Sequence, residues 1–190
     1  MLQGTESDTD FRVRFNGEVE FNMLAELSVP MNTFNSVQSF LEFAYEVDEQ
    51  ELTSGSGNNI SVDGTIIADG ILAAYGPGTF SADHAVALRA REMVVQAGAT
   101  TTRVDVSGNT IKRIQVGSLD ATETFQSLTG PCGLGISEFS FGFYAPEPGS
   151  IDWTMNSPFN EGVQGIHIGI GGGYSGMHFD FVTTDLQVSS

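Results

Sequence analysis

The feature that most narrows the fold is an alternation of apolar and polar residues around glycine-bearing turns. Phe11, Val13 and Phe15 alternate with Arg12 and Arg14; Asn16-Gly17 follows; Val19, Phe21 and Met23 then alternate with Glu18, Glu20 and Asn22. A period of two places successive side chains on opposite faces of a strand, and Asn-Gly tolerates the left-handed backbone of a tight hairpin. The signature recurs in Arg103-Val104-Asp105-Val106, the turn Ser107-Gly108-Asn109, and the segment 110–116. Ile136, Phe139, Phe141 and Phe143 mark a strand that stops before Pro146 and Pro148, and Ile151, Trp153 and Met155 mark another. Ile166, Ile168 and Ile170 are set to pair across a glycine turn with Met177, Phe179 and Phe181. Segments 40–47 and 60–68, and Leu186 with Val188, complete the strand candidates.

About eight to ten short strands with Gly-rich turns predict an all-β fold, a single jelly-roll sandwich or closed barrel. The 190 residues form one domain, 1–190, with 1–9 as a flexible N-terminal arm. Helix has one claimant, 83–97, where alanines, Arg89, Arg91, Glu92 and a following Gly98 read as helical. Val86, Leu88 and Ala90 alternate within it, so a short helix and a strand both stand there.

Charge narrows the environment. The chain carries 24 acidic and 7 basic side chains, a net charge of -17, and Lys112 is its single lysine. At low ionic strength such a surface repels itself, whereas at about 1 M salt the Debye length falls to roughly 3 Å. A salt-loving source fits this balance; an ordinary acidic protein and one with a basic partner chain are the alternatives. Phosphate contacts rely on clustered lysine and arginine, so direct nucleic-acid binding is disfavoured. With 40% hydrophobic residues and 14 phenylalanines the chain is no disordered acidic tail. No apolar run approaches the roughly 18 residues of a membrane-spanning helix. The opening MLQGTESDTD has neither the basic nor the apolar region of a signal peptide, so no export route is expected. A lone cysteine, Cys132, excludes an internal disulfide.

No motif names a reaction, and the expectation is a protein that is not an enzyme, without catalytic residues or cofactor. The run 171–176 contains a literal G-x-G-x-x-G, but Met177-His178-Phe179-Asp180-Phe181 after it alternates as a strand, so the glycines make a hairpin turn. That hairpin carries a metal alternative. If Ile168 faces Met177 and Ile166 faces Phe179, then His167 faces His178, with Asp180 on the same strand face. Two imidazoles and a carboxylate suit zinc or non-haem iron, although a barrel site would prefer an H-x-H pair where this strand reads His167-Ile168-Gly169. His84 has no useful spacing to either histidine. Glu46-Val47-Asp48-Glu49-Gln50-Glu51 has the E-x-D-x-x-E spacing that places carboxylates on one face of a bulged strand. It resembles the signature of laminarinase-like sandwich glycosidases, departing from it at Glu49; a solvated acidic strand end is the plainer reading. Cys132 sits among turn residues with no adjacent base, and Asn59-Ile60-Ser61 fits a glycosylation acceptor. A carbohydrate-binding sandwich would have to use Trp153, Tyr144 and Tyr174.

Size, near-absence of lysine and the strand pattern from Phe11 to Val188 resemble the small major capsid proteins of halophilic archaeal icosahedral viruses with an internal membrane. The resemblance implies a jelly-roll coat subunit located in the virion. It would assemble with copies of itself and a second coat protein near the membrane, without a small-molecule substrate. The alternatives from other classes are a small metal-dependent β-barrel enzyme centred on His167, His178 and Asp180, and the carbohydrate-binding sandwich.

Overall fold

The alternating segments fold into two antiparallel sheets. The structure is a computed structural model that describes residues 2–3, 7–16, 18, 20–21, 42–47, 49–54, 59–74, 84–147, 149–172 and 175–188. The larger sheet runs in the order β12 (Gln187–Val188), β1 (Leu2–Gln3), β2 (Asp10–Phe15), β4 (Ile60–Ala68), β6 (Thr102–Ser107), β7 (Thr110–Val116), β8 (Leu119–Asp120). The smaller runs β3 (Glu42–Glu46), β9 (Ile136–Gly142), β10 (Gly165–Ile170), β11 (His178–Thr183), β5 (Gly70–Ala74). Four α-helices accompany them among the described residues: α1 (Glu49–Ser54), α2 (His84–Gly98), α3 (Thr122–Leu128) and α4 (Pro158–Glu161). The protein is thus mostly β, with short helices added.

Turn chemistry sets part of this order. Gly108 and Asn109 both have φ of 58°, the left-handed pair that a two-residue hairpin requires between β6 and β7. The Asn109 side chain also takes the place of a backbone partner for β4. Its Oδ1 accepts from the Val62 N–H at 2.6 Å, and its Nδ2 donates to the Ile60 carbonyl at 2.7 Å.

One apolar core fills the space between the sheets. Phe11, Val62, Ile66, Val104 and Ile114 of the larger sheet meet Phe139, Ile166, Ile168, Ile170, Phe179 and Phe181 of the smaller. In the segment 83–97 the helix prevails, because Ala90, Met93 and Ala97 lie on one helical face and reach this core. From α3, Phe125 inserts edge-on against Phe179, with ring centroids 4.9 Å apart.

Two strand expectations are corrected. Ile151-Trp153-Met155 forms turns rather than a strand. Asp152 Oδ1 accepts from both the backbone N–H and the hydroxyl of Thr154, at 3.0 and 2.6 Å, a local bond that competes with a sheet ladder. Trp153 therefore leaves the main core and packs with Ile151 against Leu72, Val163 and Val182 on the other face of the smaller sheet. After Asn16, residues Glu18, Glu20 and Phe21 are not in a strand, and the rest of the expected second strand lies outside the described residues. β2 pairs instead with β4, from Asp10 opposite Thr65 to Phe15 opposite Ile60.

Phe179→Ala is expected to cost about 3–5 kcal/mol in urea unfolding, whereas Phe159→Ala, at a ring 52% exposed, stays within about 1 kcal/mol. Equal shifts for the two variants would refute this assignment of the core.

Candidate functional site

Because Ile166, Ile168 and Ile170 face the core, His167 and Gly169 of β10 face the opposite side of the smaller sheet. The same alternation turns Glu138 and Ser140 of β9, Glu42 of β3, and His178 and Asp180 of β11 to that side. This face is roofed. Residues 151–163 lie against it, with Ile151, Trp153 and Val163 packing on Leu72 and Val182. At the end of the roof, α4 starts at Ser157, whose hydroxyl accepts from the Phe159 N–H, with Pro158 in the first turn. The Asn160 amide ties α4 to the preceding turn by donating to the Asp152 and Met155 carbonyls, and so sets where the next residue, Glu161, stands.

Four carboxylates and two imidazoles converge beneath this cover. His167 is fully buried, and Asp180, Glu42 and Glu138 are buried with it. His167 Nε2 lies 2.9 Å from Glu138 Oε1, 3.5 Å from Glu42 Oε2 and 3.9 Å from Asp180 Oδ1. His178 Nε2 lies 2.8 Å from Asp180 Oδ1 and 3.2 Å from Glu138 Oε2. Glu161 completes the group, with a donor atom within 4.8 Å of those of His167 and Asp180. The Ser140 hydroxyl stands 3.2 Å from Glu42 Oε2. His178 Nδ1 is 2.8 Å from the Gly171 carbonyl, which can only accept, so Nδ1 carries the proton and Nε2 is turned to the carboxylates. The other ring nitrogen of His167, Nδ1, is buried and has no partner among the described residues. No lysine or arginine among the described residues pairs with any of the four carboxylates.

Gly169 makes this convergence possible. Glu138 and Asp180 flank it on the neighbouring strands, and a Cβ there would lie 2.6 Å from His178 Cε1 and 2.7 Å from Glu138 Cβ. The bare backbone leaves room for the His178 ring to lie across β10. The second histidine of an H-x-H pair is thus replaced by a histidine from the next strand.

The structure does gather His167, His178 and Asp180 on one sheet face, but through a different register from the one expected. His167 stands opposite Val182 rather than His178, and Ile168 opposite Phe181 rather than Met177. The chain between β10 and β11 is longer than the glycine run, so β11 begins at His178 and slides along its neighbour. Glu138, Glu42 and Glu161 were missed. For Glu138 the sequence did hold a signal: between Ile136 and Phe139 it is the one charged residue of β9.

The proton affinities of Glu42, Glu138, Glu161, His167 and His178 are strongly perturbed. Burial pushes Glu42 up to about 7, reinforced by the negative charges of Glu138 and Asp180 and opposed by His167. Burial likewise raises Glu161 well above the usual carboxylate range, with Asp180 and Glu42 adding to it. For His167 burial works downward, but hydrogen bonding to Glu138 and the charges of Glu138, Asp180 and Glu42 prevail and raise it to about 10. His178 is raised in the same manner by Asp180 and Glu138 against its own burial. Burial would raise Glu138, but hydrogen bonds and charge from both imidazoles outweigh it and hold Glu138 well below the usual range.

The other candidates are dispersed. Glu46 ends β3 and Glu51 lies in α1, so these two carboxylates share no strand face. Asp48 lies outside the described residues, as do Gly173 and Tyr174. The described part of the glycine run leads into strand β11, as a turn should, and Gly171 has φ of 81°. His84 opens α2 at the surface and Cys132 is buried in a 3-10 turn, Gly130–Cys132. Asn59 is exposed at the start of β4. Tyr144 packs on Phe159 at 5.6 Å, and Trp153 belongs to the roof.

The family model described as crocagin biosynthetic protein CgnE/B matches residues 2–190. No curated protein matches the chain. A biosynthetic family overturns the expectation of a coat subunit, together with the virion location and the resemblance to archaeal viral capsid proteins. An acidic surface and a run of short strands are properties that any acidic β domain shares, and no motif had tied them to a capsid.

The signs of these shifts predict how stability follows pH. Glu42 and His167 bind their protons more tightly folded than unfolded, so each stabilises the fold fully below its unfolded value. That stabilisation is lost as pH rises, for Glu42 from 4.5 to about 7 and for His167 from 6.5 to about 10. Glu138 acts oppositely, at the acid end. Thermal unfolding of metal-free protein is therefore expected at a lower temperature at pH 9 than at pH 6, and Glu42→Gln should flatten the acid half of that decline. A profile that rises toward pH 9 would contradict the buried, paired state of these groups.

Proposed function

The chain belongs to the family of crocagin biosynthetic proteins CgnE/B, and on that premise we propose that it serves a biosynthetic step through the histidine–carboxylate centre under the roof of the smaller sheet. One observation carries the reading. Glu42, Glu138 and Asp180 are buried, and Glu161 half-buried, against only two imidazoles. Such a cluster is a poor way to stabilise a fold, since buried charges lose hydration and apolar residues of similar volume commonly do better. Strongly shifted ionisable groups gathered in a water-poor place are a mark of working sites. The support is rigid: five of the six donors come from adjacent strands of one sheet, and the sixth from a capped helix held by Asn160. His178 keeps part of its side chain, 17%, exposed, so a substrate approaches beside it, near the Gly171 carbonyl that holds its ring.

The test is product formation in a host that carries the biosynthetic pathway and a replaced copy of this gene, followed by mass spectrometry. His178→Ala and Asp180→Asn should lower product at least ten-fold while circular dichroism and melting temperature stay close to the parent. Asp120→Asn, at an exposed carboxylate paired with Arg113, should leave product unchanged. Parental product levels in folded His178→Ala and Asp180→Asn proteins would overturn the proposal.

A further inference from the structure

We propose that this centre is a binuclear metal site holding two divalent transition-metal ions, bridged by the Glu138 carboxylate. The inference rests on the reading of the cluster as the working site and says what occupies it. Its first support is the donor set: two imidazole nitrogens with four carboxylates suit ions of the zinc, iron(II), manganese(II) and cobalt(II) class.

The second support is the way Glu138 is shared. Its two oxygens address different imidazoles, Oε1 at 2.9 Å from His167 Nε2 and Oε2 at 3.2 Å from His178 Nε2. The remaining donors divide around that bridge. Glu42 and Glu161 gather about His167, and Asp180 lies 2.8 Å from His178 with the same oxygen 3.9 Å from His167. Two donors on one tetrahedral ion, each about 2.0–2.1 Å from it, stand roughly 3.3–3.5 Å apart. The separations among Glu42, Glu138, Asp180 and the two imidazoles, 2.8 to 3.9 Å, straddle that value, so these side chains need to move only by tenths of an ångström, while Glu161 stands within 4.8 Å.

Charge argues for two ions rather than one. Once metal has displaced their protons, the four carboxylates with neutral imidazoles carry four negative charges, three of them on buried side chains, and no lysine or arginine among the described residues answers them. Two divalent cations balance the four; a single one leaves two negative charges in a desolvated place. The support around the donors also fits. His178 is oriented for ligation by the bond from its Nδ1–H to the Gly171 carbonyl, the usual second contact of a metal-bound histidine. Gly169 provides the space in which that ring meets Glu138. A pair of ions so placed would polarise a substrate oxygen, or activate a bound water, on the side that His178 leaves open.

The full chain, stripped with a chelator and re-equilibrated with Mn²⁺ or with Zn²⁺, tests this. Metal per chain is counted by plasma mass spectrometry after gel filtration, affinity is measured by calorimetry, and the Mn²⁺ form is examined by electron paramagnetic resonance. Two ions per chain and an exchange-coupled Mn²⁺ spectrum are expected. Glu138→Gln should lose the coupling and at least one ion, and Asp120→Asn should match the parent. One ion per chain, or none, in folded parent protein overturns the bridged pair; the parent's stoichiometry and spectrum decide this even if Glu138→Gln does not fold. The two readings fail separately. Loss of product in His178→Ala without any bound metal in the parent overturns the metal centre alone. Two bound ions together with full product formation in His178→Ala overturns the working-site reading and leaves a structural metal site.

Discussion

The smaller sheet is buried on both faces, and most of what is distinctive in this protein follows from that constraint. Antiparallel sheets commonly keep one face on the core and one in water, and the alternation along β9, β10 and β11 is written in that style. Phe139, Ile168 and Phe181 go inward; Glu138, His167 and Asp180 go out. The roof of residues 151–163 then covers part of the outer side, and Glu138, His167 and Asp180 are buried there. Groups that water would otherwise have solvated must satisfy one another, which is why imidazoles and carboxylates lie at hydrogen-bonding distances and why the proton affinities of Glu42, Glu138 and both histidines are displaced.

The roof depends on small local devices. Asp152 and Thr154 turn the chain where an alternating run would have continued as a strand, and Trp153 is thereby laid on Leu72 and Val182. Gly70 accommodates the indole, since a Cβ there would lie 2.4 Å from Trp153 Cε3. Asn160 and the Ser157 cap then fix the short helix from which Glu161 reaches the centre. A donor from outside the sheet is brought to it by residues that have no chemistry of their own.

Much of the strand pattern was legible because it is local. Ile60–Ala68 is both the expected and the observed strand, and Ser107-Gly108-Asn109 turns where its residue types demand. The helix at His84–Gly98 was undecidable locally, since its alanine-rich run carries both periods; packing of Ala90, Met93 and Ala97 on the core chose between them. The run 46–51 failed as a carboxylate face because the backbone changes from strand to helix within it. The histidine hairpin shows the limit most clearly. His167, His178 and Asp180 were correctly grouped by strand phase, yet the pairing register was wrong, because a glycine-rich connection does not fix the offset of the strands it joins.

The sequence by itself determined which residues alternate, hence the β character, the apolar face of each strand and the polar phase that carries His167, His178 and Asp180. The tertiary structure alone decided that Glu42, Glu138 and Glu161 join them, and that Glu42, Glu138, His167 and Asp180 are shielded from water. The reason is distance along the chain. Alternation is a property of neighbouring residues, whereas the centre is assembled from strands and a helix that span residues 42–180, aligned by registers and a covering segment that no local pattern encodes.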